Sequence, residues 1–164
     1  MTELQKNHSN GLASHRTIVH SLLKQEMPVT FRAAGPSMNP TIRSGDLVHV
    51  APAANERLPL GSILLFQQHT DRLTLHRYVN SFENSGRIGT TGDAAVAGME
   101  MIDRTDVCGV ALWLERGQKR VQLNSWGRRW TGMLRFYTRP IRRFAIAFYR
   151  ARRARPSRTE PSRE

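Results

Sequence analysis

The sequence predicts a mainly β protein. From Val29 to Leu123, short runs rich in β-branched and aromatic residues are separated by turns that carry Gly, Asn, Asp or Ser. Helical spacing appears only outside that region, before Pro28 and after Trp126. At 164 residues the chain is long enough for one core. Three segments are therefore expected: an N-terminal tail with a short helix at 1–28, a β domain at 29–125, and a basic segment at 126–164.

In chain order, the first twelve residues are polar and read as disordered. Ile18, Val19, Leu22 and Leu23 then fall at i, i+1, i+4 and i+5, which fits an amphipathic helix over 14–26 that stops before Pro28. Strands are expected at 29–33, 46–51, 62–67, 74–79, 87–91, 107–114 and 119–123. Their punctuation is Ser44-Gly45-Asp46, Leu60-Gly61, Asn84-Ser85-Gly86, Gly92-Asp93 and Arg116-Gly117. Many short strands with regular turns indicate an antiparallel sheet system or a small barrel. Pro140 is suited to open a helix, and Ile141, Phe144, Ala145, Phe148 and Tyr149 follow it as one apolar stripe.

Charge is segregated. The formal net charge is +12, yet residues 1–127 hold 13 Lys+Arg against 11 Asp+Glu, whereas residues 128–164 hold 12 against 2. A basic segment of this kind implies a polyanionic partner, whether lipid surface, nucleic acid or acidic protein. The one cysteine, Cys108, excludes a disulfide framework and reads as a small buried hydrophobe. No window reaches the ~20 apolar residues of a membrane span, and the polar stretch from Met1 to Asn10 gives no sign of a cleaved leader. The expected location is cytoplasmic, peripheral on the inner face of the cell membrane.

The chemistry concentrates in Gly35-Pro36-Ser37-Met38-Asn39-Pro40, which runs through Gly45-Asp46 into an apolar strand. Ser37 in this rigid turn is a candidate nucleophile, and a serine hydroxyl needs a base. The chain offers three lysines. Lys6 and Lys24 precede the sheet, and Lys119 follows an Arg-Gly turn, so none is desolvated enough to act as one. Among the histidines, His76 stands in the half-buried strand pattern Leu73-Thr74-Leu75-His76-Arg77-Tyr78-Val79. His49, in a strand, and His69, in a turn, are its rivals; His8, His15 and His20 lie at the N-terminus. A histidine base needs an orienting carboxylate, for which Asp93 in Thr91-Gly92-Asp93 is the candidate; the same Asp also suits a turn cap. No His or Cys pair has metal-site spacing, and no cofactor is expected.

Taken in order, the Ser-Met-x-Pro-x-x-x-x-Gly-Asp block, the His-Arg strand and the Thr-x-Gly-Asp turn resemble the signal-peptidase group of serine peptidases. The likeness is to the endoplasmic-reticulum and archaeal branch, where histidine replaces lysine, and it spans about residues 29–114. It implies an all-β, barrel-type peptidase core of the kind shared with self-cleaving SOS repressors. It also implies Ser37 as nucleophile, His76 as general base and Asp93 as acidic partner. The backbone N–H of Ser37 would be one oxyanion donor, with Met38 packed inward and Pro40 fixing the turn. The chain departs from the family in two places. Residues 14–26 are too short and polar for its membrane anchor. The further acid usual soon after the Gly-Asp is absent from Ala94–Met99, the nearest being Glu100 and Asp103. The chain thus resembles a short, unanchored bacterial form.

The resemblance implies a serine endopeptidase acting on a peptide or protein substrate. Two non-enzymatic alternatives are a peptide-binding module that works by strand addition and a nucleic-acid binder working through residues 128–155. For the tail, Arg142, Arg143, Arg150, Arg152 and Arg153 beside the apolar stripe suit an anionic membrane surface. Nucleic acid is a weaker fit, and packing on the core is the third arrangement. Trp126 and Trp130, beside Arg128 and Arg129, suit a membrane interface.

Overall fold

The structure is a computed structural model that describes residues 17–53, 58–68, 72–82, 85–95 and 98–138. Eight strands form one open antiparallel sheet: β1 (Val29–Arg32), β2 (Leu47–Pro52), β3 (Ile63–Gln67), β4 (Leu73–Phe82), β5 (Arg87–Thr91), β6 (Glu100–Asp103), β7 (Val107–Arg116) and β8 (Lys119–Gln122). Two helices flank it, with described parts at 17–24 (α1) and 126–138 (α2). The strand order is β1-β2-β7-β3-β4-β5-β6, and β8 also pairs with β7. The edges β1 and β6 do not pair, so the sheet is open rather than the closed barrel that short strands also allow.

β7 organises the sheet because its length lets it serve three neighbours. One edge pairs with β2 from Gly109 to Glu115. The other pairs with β3 over Val107–Val110 and then with β8 over Trp113–Arg116. β3 lies in the middle, and every residue of Ile63–Phe66 is buried. Its alternating side chains feed two cores: Ile63 and Leu65 join Val48, Val50, Ala111 and Leu114, whereas Leu64 and Phe66 join Tyr78, Ile88, Ile102 and Val110. Burial on both faces explains why this run is continuously apolar. α1 closes the first core with Leu23, while Val19 and Leu22 pack against it. Cys108 is half-buried in β7, and its Sγ reaches the Asp106 carbonyl at 3.4 Å.

Seven of the strands lie where the sequence pattern puts them. β6 is the addition. Its only buried side chain is Ile102, too little apolar signal to mark a strand. The segment from 126 onward also differs from a free tail. α2 lies against the sheet, with Gly132 so close to Arg77 that a Cβ there would stand 2.2 Å from Cζ. The basic stripe at Arg142, Arg143, Arg150, Arg152 and Arg153 lies outside the described residues. No helix among the described residues is long and apolar enough to cross a membrane.

Candidate active site

Ser37 sits in a loop between β1 and β2 whose hydrogen bonds explain the motif around it. Ala33 and Asp46 close its base: Ala33 N–H donates to the Asp46 carbonyl and Gly45 N–H to the Ala33 carbonyl, both at 2.8 Å. Inside the loop, Asn39 N–H donates to the Pro36 carbonyl and Ile42 N–H to the Met38 carbonyl. That single helical turn stacks Met38 and Ile42 on one face, both buried in the first core, as i and i+4 side chains do. Ser37 is left exposed. Pro40, in a cis bond with Asn39, is exposed at the loop tip.

Two carboxylates fasten this loop. The Asp46 oxygens accept from Arg116 Nε at 2.9 Å and Nη2 at 2.6 Å, and one also accepts from Arg43 N–H. The Arg116 guanidinium holds the Asp46 carboxyl below the usual carboxylate range. Arg116 also donates to the Thr41 carbonyl at 3.2 Å. On the other side, the Thr41 hydroxyl donates to Asp93. Asp93 in turn accepts from Arg77 Nε at 2.7 Å and Nη2 at 2.6 Å. The remaining Arg77 nitrogen, Nη1, donates to the Gly61 carbonyl at 2.6 Å.

Gly92 is where the serine loop meets the histidine strand. A Cβ on Gly92 would stand 2.5 Å from the Ser37 carbonyl oxygen and 3.4 Å from His76 Nε2. The Ser37 carbonyl leaves room there only for a hydrogen. The contact is fixed from the next turn, where Ala94 N–H donates to the Ser37 carbonyl at 2.9 Å. No hydrogen bond joins Ser37 Oγ to His76 Nε2 among the described residues, a looseness common in sites without substrate.

The far side of the imidazole departs from expectation. Asp93 was the carboxylate expected to orient His76, but both its oxygens are taken by Arg77 and Thr41. The carboxylate against His76 Nδ1 is that of Glu100, at 3.3 Å. The two are within ion-pair distance but out of line, and Nδ1 makes no aligned hydrogen bond. The register explains the meeting. Glu100 on β6 lies opposite Thr90 on β5, and Thr90 lies opposite Tyr78 on β4, two residues from His76. Such diagonals across a sheet are within reach of long side chains. Gln68, just beyond β3, holds the other Glu100 oxygen at 2.7 Å. Burial pushes the His76 pKa below its ordinary value of 6.5, and the negative charges of Glu100 and Asp93 oppose that fall without cancelling it. The ring therefore rests neutral at neutral pH.

The rival candidates lie elsewhere. His49 on β2 shares a hydrogen bond with Thr30 at 3.0 Å and stacks on Trp113, centroid to centroid 4.6 Å. Arg120 sits 3.7 Å over the same indole, so His49 belongs to a surface stack across the sheet. His20 is on α1, and His8, His15 and His69 lie outside the described residues. Lys24 and Lys119 are exposed on α1 and β8, and Lys6 is outside the described residues. No group of three or more potential metal ligands occurs among the described residues. The sequence offers Glu100 only as the nearest acid beyond the Gly-Asp turn and does not mark Gln68; strand register brings them together, Glu100 by way of β5 and β6 and Gln68 from the end of β3. No protein-family model matches the chain, and no curated protein matches it.

Proposed function

We propose that the chain is a serine peptidase of the signal-peptidase-like type, with Ser37 as nucleophile, His76 as general base and Glu100 as the carboxylate behind the base. The observation that carries this reading is the convergence at Gly92, where the backbone carbonyl of the exposed Ser37 and the Nε2 edge of a neutral, half-buried imidazole lie 2.5 and 3.4 Å from one and the same Cβ position. In this reaction Ser37 Oγ attacks a peptide carbonyl as its proton passes to His76 Nε2. The tetrahedral intermediate collapses with cleavage of the C–N bond, and the imidazolium returns the proton to the leaving amine. Water then hydrolyses the acyl-enzyme by the same route.

Each supporting residue has a part in that sequence. Glu100, held by Gln68, stabilises the imidazolium and orients the ring. The Ser37 N–H, which donates to no described residue, serves as one oxyanion donor. Asp93 acts as a positioning residue, since through Thr41 and Arg77 it ties the serine loop to the strand that bears His76. The substrate is a peptide or protein segment, because Ser37 is exposed on a surface loop that an extended chain can reach.

The test is labelling of the intact protein with a fluorophosphonate at about pH 7–8, where a neutral His76 can take the proton. Covalent modification at Ser37, lost in Ser37→Ala and in His76→Ala, is the expected result. A folded protein that stays unlabelled at saturating probe would return the scaffold to peptide binding by strand addition.

A further inference from the structure

α2 has three sides, and only one of them is explained by the fold. Gly132 and Arg129 face the sheet: a Cβ on Gly132 would collide with the Arg77 guanidinium, and Arg129 packs on Gly61. Arg128 and Arg135 are exposed on a second side. The third carries Trp126, Trp130, Leu134 and Tyr137, each between 60 and 70% exposed. These positions, at i, i+4, i+8 and i+11, fall within about 80° of arc. Trp126 and Trp130 touch each other, centroids 5.8 Å apart, so the stripe is continuous. Four large apolar side chains in one exposed line are a patch of the kind that marks an interaction surface.

Charge says what covers it. The described helix carries three arginines and no acid, and no acidic residue occurs anywhere between Glu115 and Glu160. A second copy seated on the stripe would bring arginines against arginines. The rest of the chain's own basic segment, folded back on the stripe, would do the same. An anionic bilayer meets both demands at once. Its headgroup region takes Trp and Tyr rings, its acyl boundary takes Leu, and its negative potential draws in Arg.

We propose that α2 docks the protein on anionic lipid surface, with Trp126, Trp130, Leu134 and Tyr137 entering the interface and the arginines of residues 128–164 supplying the attraction. The apolar part of this surface lies on α2, ahead of the stripe at 141–149, and does not depend on the chemistry at Ser37.

Sedimentation of the full chain with phosphatidylcholine vesicles holding about 30% phosphatidylglycerol tests it. Binding is expected there and not with pure phosphatidylcholine. Trp126→Ser/Trp130→Ser should weaken it about tenfold or more, because affinity scales with the apolar area inserted. Leu134→Ser/Tyr137→Ser should weaken it similarly. In the unmodified protein, tryptophan emission should be quenched by vesicles whose acyl chains are brominated. Unchanged binding by both double variants would overturn the proposal, as would unquenched emission from vesicle-bound protein. Salt-sensitive retention on duplex DNA without vesicle binding would also overturn it, and so would a dimer abolished by the tryptophan substitutions.

Discussion

Two arginine–carboxylate clamps grip the Ser37 loop through the same residue, Thr41, and they differ chiefly in depth. In the inner clamp the Arg77 and Asp93 side chains are 2% and 1% exposed. In the outer clamp those of Arg116 and Asp46 are 34% and 5% exposed. Both pairs are bidentate, with closest contacts of 2.6 Å. Contact geometry therefore does not distinguish them; solvent does. In a pair sealed from water, neither charge can turn to solvent when the other is removed. A pair at the rim leaves its arginine partly hydrated, so water largely makes good the loss of the carboxylate.

The largest expected effect follows from breaking the inner clamp. Arg77→Ala leaves the Asp93 charge buried and unpaired and should cost about 3–5 kcal/mol, read by denaturant unfolding. Replacing both members, Arg77→Met with Asp93→Leu, should be less damaging than either single change, because no charge is then stranded. A double variant as unstable as the sum of the singles would show that depth is not what separates the clamps. Adding bulk instead of removing charge strikes the same place. Gly132→Val drives a side chain into the guanidinium, so α2 should lift or the ion pair should open. Arg116→Ala should cost less, about 1–3 kcal/mol, because Asp46, though itself buried, keeps the Arg43 N–H, and it should show the greater sensitivity to salt. Its carboxylate partner adds a pH signature. The Asp46 pKa is lowered in the fold, so its contribution is present above the ordinary value of 3.8 and is lost as pH falls below it.

This contrast also marks how far the sequence could be read. The Gly45-Asp46 and Gly92-Asp93 pairs look alike as turn punctuation, and nothing in their spacing distinguishes rim from interior. The serine loop was legible in part because its demands are local: Met38 turns inward as expected, whereas Ile42, one helical turn on, joins it in the core only in the fold. The strands were legible for the same reason, since alternation is a short-range signal. The partner of His76 was not. Asp93 follows a Gly directly after a strand and looks like a triad acid, but it is consumed by Arg77, the residue adjacent to the histidine in the chain. Glu100 reaches the ring only because β6 joins β5, and β6 carries a single buried apolar residue. The sequence offers Glu100 only as the nearest acid beyond the Gly-Asp turn; that it meets His76 is set by register across three strands, a tertiary fact.

Between the clamps lies Gly92, and a methyl there tests whether the loop they hold is seated for a purpose. Gly92→Ala must push the Ser37 carbonyl away, since the obstructing atom is backbone and cannot rotate aside. Overpacking of this sort should cost about 1–3 kcal/mol. Fluorophosphonate labelling should fall much further than the stability loss accounts for, because the displaced group carries the nucleophile. Full labelling of a destabilised Gly92→Ala protein would separate Ser37 from His76 and remove the dyad.

The smallest effect is the most informative about Glu100. His76 has its pKa lowered by burial, and Glu100 is the larger of the two charges that hold it up. Because the folded value lies below the ordinary 6.5, the folded state binds fewer protons than the unfolded chain between those two values. Stability should therefore decline as pH drops from 6.5 toward the folded pKa, and His76→Gln should flatten that decline. Glu100→Gln keeps an oxygen for Gln68 to bond but removes the charge, so the His76 midpoint in an NMR titration should move further down. The acid limb of the labelling rate should move down with it, while the rate on the plateau falls because the imidazolium has lost its counter-charge. Asp93→Asn should shift the midpoint less, since the Asp93 charge is already neutralised by Arg77. A larger shift from Asp93 than from Glu100 would return the acidic role to the inner clamp and make Glu100 a bystander at the sheet edge.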